Sequence, residues 1–156
     1  MTVELTLPEV YQAATVGIMR QICALRDQRP GAHGIPANAK VWQYNVEGCC
    51  GELVVAKALG LYWSGALGNL RVADVGKYQV RTRSKAWYDL TLYPKDDDHA
   101  IFILVLGRAP IYEIAGWILG ANGKRPEYWK SPNGRPGFFV PRGVLRPLEE
   151  LPEVTR

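Results

Sequence analysis

Residues 70–83, Leu-Arg-Val-Ala-Asp-Val-Gly-Lys-Tyr-Gln-Val-Arg-Thr-Arg, leave the backbone few choices. Leu70 to Val75 alternates and is rich in β-branched residues, and Tyr78 to Arg83 alternates again. Between them Gly76-Lys77 is a two-residue turn with Gly first, which suits a type II′ hairpin. That turn sets the register: Val75 opposes Tyr78, and Asp74 opposes Gln79. Opposed residues share a face, and the period of two adds Arg81 and Arg83 beyond Gln79. One face then carries Asp74, Gln79, Arg81 and Arg83. The other carries Val75, Tyr78, Val80 and Thr82 and reads as the core side. A carboxylate, an amide and two guanidiniums are costly to bury unless they hold something, and a metal ion with a phosphate would suit them.

The rest of the pattern is helix first and strand later. Residues 7–28 read as an amphipathic helix, with Pro8 in its first turn, Glu9 complementing the dipole and apolar residues at three-to-four spacing. Residues 30–37 are a Pro- and Gly-rich loop, in which His33 reads as solvent-exposed. Residues 39–60 form a second helix ending at Gly60. Gly48 and Gly51 lower its propensity, and imply close approach to a sheet or room for a ligand beside Glu52. Glu47 reads as a solvated helix position. Residues 86–93 favour a strand. Asp96-Asp97-Asp98 reads as a solvated turn. The run Ile-Phe-Ile-Leu-Val-Leu within 99–107 has the signature of a central strand buried on both faces. Further strands are expected at 111–118 and 138–140. Residues 120–137 read as a long irregular segment. There Tyr128 and Trp129 either cover the core or stack on bases, flanked by Lys124, Arg125, Lys130 and Arg135.

At 156 residues one domain is expected, divided into an N-terminal helix and loop (1–37), a core (38–118) and a loop-rich extension (119–156). The fold class is α/β, a mixed central sheet of four to five strands flanked by helices. A net charge of +4 and a pI near 9.0 permit a nucleic-acid partner without demanding one. Cys23, Cys49 and Cys50 are an odd count without ligand spacing, so reduced, partly buried thiols are expected rather than disulfides or zinc. There is no signal-like opening and no membrane-length apolar run, which favours a cytoplasmic protein without membrane contact.

The pattern thus collects Glu52 on a helix, Asp74 and Gln79 across a hairpin, and Arg81 on the hairpin face. Two carboxylates and an amide oxygen form a ligand set for a hard divalent ion, and a cation two residues on would hold a phosphate. The plain alternative is a surface ladder of ion pairs between Asp74 and Arg81 or Arg83, contributing ~0–1 kcal/mol.

The stretch Gly51-Glu52…Ala56-Lys57-Ala58-Leu59-Gly60, followed by Asp74-Val75-Gly76 and Gln79-Val80-Arg81-Thr82, resembles the PD-(D/E)XK nuclease superfamily. Within it the arrangement is similar to small phage and prophage nucleases related to Holliday-junction resolvases. The resemblance spans roughly residues 45–107 and implies a restriction-endonuclease-like fold. It implies Glu52, Asp74 and Gln79 as ligands of Mg²⁺ or Mn²⁺, with these three and Arg81 catalytic in phosphodiester hydrolysis of DNA. Lys57, Arg83, Lys85, Lys124, Arg125, Lys130 and Arg135 would track the nucleic-acid backbone. No organic cofactor is implied. A homodimer is possible, with the Tyr62-Trp63 region as its surface. Gln79 stands where the superfamily has an acid, which removes one charge from the metal site. Arg81 stands where it has Lys; it cannot act as a base but can clamp a phosphate. These departures leave open a catalytically inactive nucleic-acid-binding or protein-interaction module on the same fold.

Overall fold

The structure, a computed structural model, describes residues 1–28, 40–67 and 73–152. The loop expected at 30–37 with His33, the first residues of the expected hairpin at 70–72 and the last four residues lie outside them. Two long helices form, α1 (Leu7–Arg26) and α2 (Lys40–Leu59). Thr6 and Glu9 close a capping box at the start of α1: the Thr6 N–H donates to Glu9 Oε2 at 2.7 Å, and the Glu9 N–H donates to Thr6 Oγ1 at 3.4 Å. Gly60, with φ +64°, ends α2 as its sequence implied.

A four-stranded sheet follows the order β1 (Thr2–Glu4), β5 (Ile111–Leu119), β4 (Ile101–Arg108), β2 (Tyr78–Arg83). It is mixed: β2 runs parallel to β4, and the other pairs are antiparallel. A second, antiparallel sheet of three strands has the order β3 (Leu90–Leu92), β7 (Gly137–Val140), β6 (Trp129–Lys130). The chain is therefore α/β with a central mixed sheet. Helices cover one face of that sheet and the small sheet covers the other. Segment 120–137 is more ordered than expected: it opens with the short helix α3 (Gly120–Gly123) and contains β6. The strand expected over 86–93 shrinks to β3, because a turn occupies Lys85–Tyr88. Among the described residues no helix is long and apolar enough to cross a membrane.

The apolar run of β4 does what its pattern implied. Ile103 and Val105 enter a core shared with Val54, Val55, Tyr78, Val80 and Trp117 beneath the helices. Phe102, Leu104 and Leu106 enter a second core with Leu90, Leu92, Ile118 and Val140. Each such fully buried side chain contributes roughly 1.5–3 kcal/mol of transfer free energy.

Two glycines set how closely the helix layer packs. A Cβ at Gly51 would lie 1.9 Å from Thr82 Oγ1 and 2.9 Å from Thr82 Cβ, so α2 rests directly on β2. A Cβ at Gly17 would lie 2.6 Å from the Val46 Cα, so α1 and α2 cross backbone against backbone. Of the two roles the sequence allowed for Gly51, the structure shows close approach to the sheet.

Candidate functional site

The turn at Gly76-Lys77 forms, with Gly76 at φ +57° and reciprocal Val75–Tyr78 backbone bonds of 3.1 and 2.8 Å. In a continued ladder the Val80 N–H would go to Ala73. Instead the Asp74 carboxylate accepts it at 2.7 Å. A charged oxygen is the stronger acceptor, and it holds the loop against the free edge of β2.

The parallel register with β4 sorts the β2 side chains. Val80 and Thr82 pair with Ile103 and Val105 on the helix side, whereas Gln79, Arg81 and Arg83 pair with Phe102, Leu104 and Leu106 on the side of the small sheet. The expected split of the hairpin faces is therefore observed for these residues. The polar face, however, does not look toward α2.

Glu52 stands on the helix side and is 5% exposed. Its Oε1 and Oε2 accept from the Arg20 guanidinium at 2.6 and 2.9 Å, and Oε2 also accepts from the Trp63 indole at 2.9 Å. Arg20 Nε donates to the Ala66 carbonyl at 2.9 Å. This is a planar fork on a carboxylate, with Trp63 adding a third donor to Glu52 and the Ala66 carbonyl accepting from Arg20 Nε, the kind of support a buried ion pair requires. Asp74 lies near enough to feel it. Burial, and then the charge of Glu52, push the Asp74 carboxyl from 3.8 up to about 6, against the opposing pull of the Val80 N–H, Arg81 and Arg20.

Arg81 points the other way. Its Nη2 pairs with Asp96 Oδ1 at 3.2 Å, and its guanidinium lies 5.0 Å from the centre of the Phe102 ring. Asp96 Oδ2 also accepts from the Tyr93 N–H at 2.9 Å. The Asp96–Asp98 stretch is thus only partly the solvated turn its composition suggested. Asp96 is drawn in by Arg81, while Asp97 and Asp98 stay exposed.

The structure brings Glu52 and Asp74 together, and sets Gln79 and Arg81 apart from Glu52 across the sheet. Among the described residues no group of three His, Cys, Asp or Glu side chains is placed to hold an ion. In this arrangement Arg20 engages both oxygens of Glu52 and Gln79 lies on the side of the small sheet, so Glu52, Asp74 and Gln79 do not meet at one point.

The cations expected to track nucleic acid also separate. Lys57 is tied to Glu9 at 2.8 Å and to the Glu4 carbonyl, Lys124 to Asp98 at 2.7 Å, and Arg125 to Glu127 at 3.0 Å. Lys130 and Arg135 are exposed near the edge strand β6, where Trp129 packs edge-on against Phe138. Tyr128 packs against the second core, and Trp129 keeps much of its surface in solvent. Arg83 and Lys85 stay together. The Arg83 guanidinium lies 4.8 Å from the Tyr88 ring centre, and Lys85 Nζ lies 5.2 Å from Trp87 and 5.7 Å from Tyr88. The Tyr88 N–H donates to the Lys85 carbonyl at 3.1 Å, which fixes this turn. Trp87 is 74% exposed.

Sequence reasoning missed Arg20, Trp63 and Asp96. Arg20 carried a signal: it is the one charged residue between Glu9 and Arg26, in a helix otherwise apolar or neutral there. Of the Tyr62-Trp63 region expected as a dimer surface only Tyr62 is exposed; Trp63 is buried, with its indole N–H donating inward to Glu52. Comparison with family models, curated proteins and solved structures gives no match.

Proposed function

We propose that this protein is a nucleic-acid-binding domain that contacts its partner at the end of β2. The observation that carries this reading is that Arg83 and Lys85 have no acidic partner among the described residues and stand against Trp87 and Tyr88. Arg20, Lys57, Arg81, Lys124, Arg125, Arg142 and Arg146 are each paired with a carboxylate. Two uncompensated cations beside aromatic rings offer charge for phosphates and flat surface for bases, and stacking contributes ~1–3 kcal/mol per base. The mild positive net charge agrees with this. The test is fluorescence anisotropy with labelled single-stranded and duplex DNA across a salt series. Replacing Arg83 and Lys85 with Ala should weaken binding at least about tenfold and lower the salt slope by about two. Affinity unchanged by the double substitution, or independent of salt, would refute the proposal.

A second reading, metal-dependent DNA hydrolysis, is favoured by one observation: Glu52 and Asp74 are neighbouring acids, and Asp74 is strained by its surroundings. It requires Arg20 to leave Glu52. Cleavage of supercoiled, linear, single-stranded or four-way-junction DNA with Mg²⁺ or Mn²⁺, absent with EDTA and in Asp74→Ala, would establish it. Binding without cleavage would leave the first reading standing.

A further inference from the structure

The outward face of α1 carries no charge before Arg26. Glu9 turns to Lys57 and Arg20 turns to Glu52. The helix buries Ala13, Gly17, Gln21 and Cys23. Among the side chains it presents outward are the apolar Leu7, Tyr11, Ile18, Ile22 and Leu25, exposed from 42% at Ile18 to 83% at Leu7. At about 100° per residue these five fall within roughly 60° of arc, in two groups along the helix separated by the half-buried Ala14 and the exposed Thr15. Scattered exposed apolar residues are ordinary on a surface, but apolar side chains aligned on one helix face mark an interaction site.

We infer that this stripe docks a second copy of the same chain, α1 against α1 in antiparallel orientation. The stripe is self-complementary about a point near residue 16. Reversing one helix sets Leu7 against Leu25, Tyr11 against Ile22, and the half-buried Ala14 against Ile18. A two-fold interface requires this property, since the same patch serves both partners. The spacing of four and three residues also suits helix packing at a shallow crossing angle. The exposed parts of the five side chains amount to roughly 500–600 Å² per copy. Two copies would therefore bury about 1,000–1,200 Å², near the lower bound for a stable interface. With no lysine or arginine among its residues the stripe does not suit an anionic lipid surface. The interface belongs to the helix layer, on the other side of the central sheet from Arg83, so pairing leaves both basic turns open.

The experiment is sedimentation equilibrium of the full chain from micromolar to near-millimolar concentration, with wild type and Ile18→Arg. Ile18 is already partly in solvent, and an unchanged thermal melt checks that the variant folds. The expected result is a concentration-dependent dimer that Ile18→Arg weakens at least about thirtyfold, by bringing like charges together near the symmetry axis. A Leu7→Cys/Leu25→Cys double variant should form a disulfide-linked dimer on oxidation, and Leu7→Cys alone should not. A wild type that stays monomeric throughout would overturn the inference, as would a dimer indifferent to Ile18→Arg. Cross-linking by Leu7→Cys alone would overturn the antiparallel arrangement.

Discussion

Replacing Asp74 with Asn isolates the strain in the acidic pair. The Asn side-chain oxygen can still accept the Val80 N–H, so the loop keeps its anchor while the charge goes. The folded protein holds the Asp74 carboxyl near 6, against 3.8 in a solvated chain. Between those values the folded state binds more protons than the unfolded state, so wild-type stability falls as pH rises through the window and then levels off. A shift of about two units corresponds to about 3 kcal/mol at 1.36 kcal/mol per unit. The new amide must also be buried, so the net gain expected for Asp74→Asn is about 1–3 kcal/mol above pH 6, shrinking to nothing near pH 4. Urea unfolding of both proteins at several pH values measures the difference directly. Losses from other carboxylates at low pH occur in both proteins and cancel. A difference independent of pH, or an Asn variant less stable at pH 8, would refute the reasoning, because either outcome means the Asp74 charge is welcome in the fold. Magnesium that stabilises wild type but not the variant would instead favour the metal-dependent reading, since an ion that binds only the folded state raises its stability.

Other outcomes follow from the same geometry. Arg20→Met leaves Glu52 buried without its partner and should cost about 3–5 kcal/mol in urea unfolding, with at least half recovered by adding Glu52→Gln. Gly17→Ala should cost about 3 kcal/mol, because its Cβ meets the Val46 backbone. Gly51→Ala should cost about 1–2 kcal/mol, partly relieved by Thr82→Ala; equal costs would show that the helices shift as one body. Cys49, whose thiol burial pushes up to about 12, and Cys50, raised by burial, should resist a thiol reagent at pH 8 until the protein unfolds, as read by mass spectrometry.

Some of this architecture is written locally. The capping box at Thr6 and Glu9, the glycine that ends α2 and the Gly76 turn each depend on a few adjacent residues, so the sequence alone determined them. The unbroken apolar run at Ile101–Leu106 determined in the same way that β4 lies between two covered faces, since water must be excluded from both sides of such a strand. The period of two also determined which β2 side chains share a face. What lies on the far side of each face was decided only by the tertiary structure. Nothing local in Leu90–Leu92 and Phe138–Val140 announces that they pair with each other to cover the second core. Nor could spacing tell that Arg20, 32 positions before Glu52, would take both oxygens of the acid read as a metal ligand. It could not tell that Arg81 would turn to Asp96 instead. Pairings between buried charges are chosen by where whole helices and sheets come to rest, and the partners that satisfy a desolvated charge are set by that packing rather than by neighbours along the chain.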